Sequence, residues 1–197
     1  MRLRPNRRAL MAGAGLALSA TLLMGAAPAP APDPTTFVDP FIGTGQDGHT
    51  FPGATVPFGM VQLSPDTDSR YIRQSYKWSA GYRYEDSSIM GFSHTHFSGT
   101  GHSDMGDVLM MPVSGEVRLD PGDKDKPGSG YRSRFSHADE VAEPGYYAVT
   151  LKDYDVRAEL TASERVGVHR YGFRPGADAH VLIDLRPSFY DYPGKVL

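Results

Sequence analysis

The amino-acid sequence predicts an all-β protein, an antiparallel β-sandwich, on three observations. Seven short runs are apolar or alternate apolar with polar residues, which is typical of strands. Pro-Gly and Pro-Asp pairs separate many of these runs, in a chain with 22 glycines, 16 prolines, 11 tyrosines and 9 phenylalanines. No segment keeps a helical period for more than two turns. Packed layers of antiparallel strands are therefore the expected architecture.

The first element in chain order is a targeting segment, residues 1–29. Four arginines among the first eight residues precede an uncharged run rich in Ala, Leu, Gly and Met that ends in small residues, which is the layout of a secretory signal peptide. A membrane anchor is the alternative, but the many Ala and Gly residues favour the signal. The pair Arg7-Arg8 loosely resembles a twin-arginine export signal. Residues 30–36 form a Pro/Ala-rich linker, and residues 37–197 form the folded domain.

Charge and cysteine content narrow the possible partners. Four of the 20 basic residues lie in the signal, so the remainder carries 16 basic against 23 acidic side chains. This acidic balance argues against nucleic acid and, once the signal is removed, against a membrane surface. The chain has no cysteine, which excludes disulfides, thiolate zinc sites and thiol nucleophiles. An exported, cysteine-free protein is expected to be periplasmic or secreted.

The predicted strands follow the signal and linker. They are residues 56–63, 88–93, 107–113, 146–152, 156–162, 166–173 and 180–185. The fifth and sixth, joined by Ser163-Glu164, predict a hairpin with one wet face. Residues 120–130 are charged and rich in Gly and Pro, which predicts an exposed loop. After a turn at Pro193-Gly194, Lys195-Val196-Leu197 begins another apolar run, so we expect a β-sandwich that is incomplete at its carboxyl terminus.

The segment 39–59 reads DPFIGTGQDGHTFPGATVPFG and holds the first candidate binding residues. Five glycines indicate backbone that turns tightly or is approached closely by another group. A phosphate loop is rejected, because no strand precedes Gly43-Thr44-Gly45 and no helix or GK[ST] follows. His49 lies in the same segment, and a plain surface loop is the alternative interpretation.

The single tryptophan, Trp78, lies in a Gly-containing stretch with Tyr82. A buried core aromatic is one interpretation. The other is a platform on which a sugar ring stacks, since pyranose C–H faces pack against indole and phenol rings.

The segment 91–107 reads GFSHTHFSGTGHSDMGD and concentrates polar side chains. Its candidate binding residues are His94, His96, Ser98, His102, Asp104 and Asp107. Hydroxyl binding or buried polar scaffolding is the favoured interpretation. A metal site is the second, because His94-x-His96 places both rings on one face of a strand. Nucleophilic catalysis through Ser, His and Asp is the least favoured.

Three motifs in order, DPFIGTG…GHTFPGATVPFGMVQLSPDT, SAGYRYEDSSIMGFSHTHFSGTG and SDMGDVLMMP, resemble the amino-terminal domain of glycoside hydrolase family 92. The resemblance implies an inverting, calcium-dependent exo-α-mannosidase of α-1,2 type, in which a β-sandwich precedes a large (α/α)6 barrel. The expected partners are then α-mannose-containing glycans and the (α/α)6 barrel of the same polypeptide.

The resemblance also implies that the β-sandwich and the barrel have different roles. The catalytic acid and base and most calcium ligands belong to the barrel, so the 197-residue chain alone is expected to be inactive. The sandwich would contribute the loops 43–52, 77–82 and 93–104 to the cleft. The substrate-binding residues expected there are Gly43, Thr44, Gly45, His49, Trp78, Tyr82, His94, His96, Ser98 and Asp104. Many relatives have WDWCSGYHYSD where this chain has YKWSAGYRYED, and His102 stands where Cys is frequent. Lys77, Ser79 and His102 therefore bear on linkage preference.

Two alternatives from other classes remain at this point. One is a stand-alone carbohydrate-binding β-sandwich. The other is a periplasmic metal-binding protein that uses His94, His96 and His102.

Overall fold

The computed structural model of the chain describes residues 31–69, 76–99 and 105–187. Residues 1–30, which include the proposed signal, and residues 70–75, 100–104 and 188–197 lie outside these ranges. The chain divides into a short unit, Met1–Asp33, and a main unit, Pro34–Leu197, that holds all the strands. No helix in the described ranges is long and apolar enough to cross a membrane.

The main unit contains eleven strands in its described residues. They are β1 Ala54–Thr55, β2 Gln62–Asp66, β3 Ser88–Ile89, β4 Gly91–Ser93, β5 Leu109–Ser114, β6 Ser133–Arg134, β7 Val141–Glu143, β8 Tyr146–Leu151, β9 Val156–Ala162, β10 Gly167–Gly172 and β11 Ala179–Asp184. Short 3-10 turns lie at Pro34–Phe37, Tyr76–Trp78 and His137–Asp139.

These strands form two main antiparallel sheets, which confirms the predicted β-sandwich. One sheet has the order β1-β2-β4-β5-β11 and the other the order β10-β9-β8-β7, while β3 and β6 form a separate pair. The middle strand β9 lies against β1, β2 and β5 of the opposite sheet. Side chains from both sheets, including Leu63, Met111 and Val149, fill the space between them and are fully buried.

The predicted hairpin corresponds to β9 and β10. Val156, Ala158 and Leu160 are buried and alternate with more exposed polar residues, because successive side chains of a strand point to opposite faces. On β10, Val168 and Arg170 face outward. The turn is closed by a hydrogen bond from the Ser163 amide to the Val166 carbonyl, 2.9 Å long. The hairpin therefore has one buried face and one solvent-exposed face, as the alternation predicts.

The first predicted strand, residues 56–63, is wrong in its position. The strand at this place is β2, which starts at Gln62, and β1 covers only two residues before the predicted run. Between them the Gly59 amide bonds the Val56 carbonyl at 3.0 Å, and Phe58 takes a positive φ of 61°. Proline at position 57 and glycine at position 59 favour this tight turn over extended backbone, although the run is apolar.

Candidate functional site

The three predicted cleft loops lie together in the folded chain. We call residues 43–52 the first loop, residues 77–82 the second loop and residues 93–104 the third loop, of which 93–99 are described. The Gly99 amide of the third loop bonds the His49 carbonyl of the first at 2.7 Å, and the Phe51 and His96 rings are 5.1 Å apart.

The opposite side of the first loop is held by the residues that follow the second. The Tyr84 amide donates to the Thr44 carbonyl at 3.0 Å, and the Glu85 carboxylate accepts from the Gln46 amide at 2.8 Å. Contacts far apart in sequence thus fix the first loop between the second and the third.

The first loop is a closed turn built on its backbone. The Thr50 amide and hydroxyl bond the carbonyls of Gly43 and Ile42, and Gly43 has a φ of 79° that favours glycine. A Cβ on Gly48 would lie 2.1 Å from the Gly43 carbonyl oxygen, so the loop closes only with glycine there. The Thr44 side chain is buried and bonds the Phe41 carbonyl at 2.8 Å. Within this loop, Thr44 is therefore a scaffold residue, while Gly45 and His49 are partly exposed.

His96 lies in a buried polar cluster behind the third loop. Its Nδ1 donates to the Gln62 carbonyl at 2.7 Å, and its Nε2 lies 2.8 Å from Asp66 Oδ1 and 3.1 Å from Ser93 Oγ. The carboxylate and the hydroxyl meet the same ring nitrogen, whereas a catalytic triad needs them on opposite nitrogens. Ser93 and Asp66 are also completely buried. This cluster is a scaffold, in agreement with the favoured interpretation of the segment.

His94 turns toward the other sheet. Its Nδ1 donates to the Val108 carbonyl at 2.7 Å, and its Nε2 lies 3.2 Å from Nε2 of His169 on β10. The Tyr171 hydroxyl lies 2.7 Å from His169 Nδ1, which completes a chain of hydrogen bonds between the sheets. Burial and, secondarily, the proximity of His94 lower the pKa of His169 to about 4.

The alternative of a metal pair formed by His94 and His96 finds no support in the described residues. Each ring uses its two nitrogens for different protein partners, as given above. In the ranges that the structure describes, no group of three His, Asp or Glu side chains is arranged to hold a metal ion. The third member of that hypothesis, His102, lies outside the described residues.

Trp78 and Tyr82 of the second loop are both buried. The Trp78 indole is 5% exposed, its Nε1 donates to Asp86 at 2.6 Å, and the Lys124 ammonium lies 5.6 Å from its ring centre. The Tyr82 hydroxyl is bound to the carboxylate of Glu140. Of the two interpretations of Trp78, the geometry favours the buried aromatic, and its contact with a sugar stays a prediction, as does that of Tyr82.

An exposed aromatic next to the first loop was not among the predicted residues. Tyr84 is 41% exposed and lines a concave region of about 380 Å³ together with Phe41, Ile42 and Gly45. The available sequence signal was its setting between the charged residues Arg83 and Glu85. Ser98 is exposed at the third loop, and Asp104 lies outside the described residues.

A family model for the glycosyl hydrolase family 92 amino-terminal domain matches residues 37–193. The chain belongs to glycosyl hydrolase family 92. It is 47% identical, with a TM-score of 0.75 over 79% of its length, to a family GH92 α-mannosidase from Bacteroides thetaiotaomicron solved with mannoimidazole. A family GH92 inverting mannosidase from the same organism is 27% identical over 78% of the chain, with a TM-score of 0.61.

A curated relative gives the same family-level picture. An uncharacterized secreted glycosidase from Arthroderma benhamiae is 35% identical over 143 residues, which is 72% of this chain and 17% of that protein. The two Bacteroides structures are likewise covered only to 20% of their lengths. This family 92 chain thus spans about a fifth of the relatives that it matches, and the resemblance of its motifs to the family's amino-terminal domain is confirmed.

A calcium ion has little to bind among the described side chains of this family 92 domain. Calcium prefers six to eight oxygen ligands, usually including several carboxylates. Two carboxylates near the loops are engaged elsewhere, since Glu85 accepts from Arg83 and from the Gln46 amide, and Asp66 is buried against His96. Among the described residues, no three acidic or histidine side chains are grouped in a way that fits a calcium site.

Proposed function

We propose that this chain is the amino-terminal β-sandwich of an exported α-mannosidase that hydrolyses terminal α-mannosides of glycans with inversion. One observation carries the proposal: 47% identity and a TM-score of 0.75 to a family GH92 α-mannosidase solved with mannoimidazole. The contacts between the loops support it, because the partly exposed imidazole of His49 and the exposed hydroxyl of Ser98 lie on loops that are bonded to each other through His49 and Gly99. Such groups suit the hydroxyls of a sugar.

In this proposal the sandwich binds and orients substrate but supplies no catalytic group. Inversion requires a carboxylic acid and a carboxylate about 6.5–9.5 Å apart, on opposite sides of the sugar. We assign both to the part of the protein that follows this chain, together with most ligands of an assisting calcium ion. The exposed members of the loops, Gly45, His49 and Ser98, are the residues of the described chain that we expect to reach the glycan.

The α-1,2 linkage belongs to the proposal as well. It is supported by the family motifs, and Lys77 and Ser79 are the departures that can modify it. Lys77 is exposed and Ser79 is buried, so Lys77 is the better candidate for a direct effect on the leaving sugar. Export is supported by the signal-like residues 1–29 and by the fungal relative, which is called a secreted glycosidase.

The decisive experiment compares two proteins on an aryl α-mannoside with calcium. We expect the chain of 197 residues to show no turnover, and the longer protein that contains it to release β-mannose first, as followed by proton NMR. Loss of both catalytic carboxylates typically removes several orders of magnitude in rate. Turnover by the short chain that Asp104→Asn abolishes would contradict the assignment of the carboxylates to the rest of the protein.

A further inference from the structure

Glu140 is a buried carboxylate that the proposed binding surface does not use. Its side chain is fully buried between the second loop and β8. Tyr82 donates its hydroxyl to both carboxylate oxygens at 3.0 and 3.1 Å, and Tyr147 donates to Oε1 at 2.6 Å. His137 Nδ1 lies 2.6 Å from Oε2. Three side chains thus bond one buried carboxyl group.

Hydrogen-bond accounting then fixes the proton on Nε2 of His137. Its Nε2 lies 2.7 Å from the carbonyl oxygen of Tyr84, and a carbonyl only accepts, so Nε2 carries a proton. Its Nδ1 faces the Glu140 carboxylate, which in the ionised form also only accepts. Beside an ionised Glu140 both ring nitrogens donate, and a histidine that donates twice is an imidazolium ion.

The ring of His137 also touches the residue that holds the first loop. It stacks on the Tyr84 ring with the centroids 3.9 Å apart and the planes 6° from parallel. The backbone of Tyr84 accepts from His137 through its carbonyl and donates to the Thr44 carbonyl through its amide. The backbone of Tyr84 thus connects the pair formed by His137 and Glu140 to the first loop.

We infer that His137 is a positioning residue for the first loop: as an imidazolium held by Glu140, it fixes Tyr84 and, through Tyr84, Thr44. The connection to substrate rests on the proposed function, because it requires that the first loop lines the mannoside cleft. The protonated ring itself does not depend on that function, so the two parts can fail separately.

The other groups around this ring are consistent with a cation there. Tyr84 offers a π face on one side and Phe135 meets the ring edge-on, with centroids 5.2 Å apart. Asp139 lies in the same 3-10 turn, and its carbonyl accepts from Arg157 of β9 at 2.6 Å. Burial first, and Glu140 second, raise the pKa of Tyr82 and Tyr147, so both hydroxyls stay protonated as donors.

The test is the ring 15N NMR spectrum of the full chain labelled at histidine. At neutral pH we expect His137 to show two protonated ring nitrogens with nearly equal 15N shifts. In Glu140→Gln the His137 ring should become neutral and keep only the Nε2 proton. The uncharged glutamine side chain no longer balances the positive charge of an imidazolium. Glu159→Gln is the matched control: it also removes a carboxylate bonded to a tyrosine hydroxyl, but that carboxylate lies on the outer face of β9 and bonds Tyr146.

Two further readouts connect the ring to the loop. In Glu140→Gln, hydrogen exchange at the Tyr84 amide should accelerate by about tenfold or more, the change expected when a charge-assisted bond is lost, and Glu159→Gln should leave it unchanged. In the longer protein, Glu140→Gln should raise KM for an aryl α-mannoside several-fold with a smaller effect on kcat.

The outcomes distinguish failure of the protonated ring, failure of the positioning role and failure of the proposed function. A neutral His137 ring in the wild-type chain at neutral pH overturns the inference without any variant. A protonated ring with Tyr84 exchange that does not respond to Glu140→Gln overturns the positioning role. If ring and exchange respond as expected but the longer protein hydrolyses no mannoside, the inference stands and the proposed function fails.

Discussion

Trp78 is a residue whose environment makes a sharp prediction. Its indole is almost completely buried and bonded to Asp86. We expect Trp78→Ala to lower the free energy of unfolding by about 3–5 kcal/mol, the usual cost of deleting a buried aromatic ring. Trp78→Phe keeps most of the packing and should cost clearly less. Urea unfolding of both variants measures this, and an unchanged stability with loss of mannoside binding would instead support the stacking platform.

His169 makes the stability of the domain depend on pH. Burial and His94 lower its pKa to about 4, whereas an unfolded histidine titrates near pH 6.5. Between these values the unfolded chain binds a proton that the folded chain does not, so stability is full above about pH 6.5 and falls as the pH approaches 4.

The variant His169→Gln tests this linkage. It should flatten the decrease of melting temperature between pH 6.5 and pH 4 that the wild-type chain shows. Equal slopes in the wild type and His169→Gln would show that another group causes the pH dependence.

The histidine motif illustrates what the sequence could not show for single side chains. Two residues of a strand separated by one position share a face, which is why His94 and His96 were expected to point together. Strand β4 ends at Ser93, so the rule does not reach them. Their rings accordingly bond different partners, Val108 and His169 for one, Gln62 and Asp66 for the other.

At the scale of elements, the hairpin β9–β10 predicts two opposite responses. Leu160 is buried on its dry face, and Val168 is 50% exposed on its wet face. Leu160→Ala should destabilise the domain by about 2–5 kcal/mol, while Val168→Ala should change the stability by less than about 0.5 kcal/mol. Thermal or urea unfolding measures both, and similar losses for the two variants would show that the outer face is covered.

Regular alternation explains which elements were predictable. The strands β8, β9 and β10 lie within a residue or two of their predicted bounds, because β9 and β10 alternate with period two and β8 is a largely apolar run. The strands β1, β6 and β7 have only two or three residues, too few to show a period. The juxtaposition of the loops was expected only through the family resemblance, because contacts such as Gly99 to His49 join segments distant in sequence.

At the scale of the whole molecule, the proposal places the calcium ligands outside this chain. Removal of calcium with a chelator should therefore leave the melting temperature of the 197-residue chain unchanged. The same treatment should abolish mannoside hydrolysis by the longer protein, since a bound cation then assists the sugar's reaction. A chelator-induced drop in the melting temperature of the short chain, reversed by added calcium, would place a calcium site within it.

The strand order also has a consequence for the way the domain is assembled during synthesis. In the five-stranded sheet β11 pairs with β5, and all of β6 to β10 lies between them in the chain. The strands β7 to β10 instead pair each with the next across short turns, so their association costs little loop-closure entropy. This meander can form as soon as it emerges from the ribosome, because β1, β2, β4 and β5, which cover it, are already made, whereas the edge strand β11 joins last. Until Ala179–Asp184 emerge, the outer edge of β5 has no strand to pair with, and a nascent chain with an open sheet edge is a natural client for a chaperone.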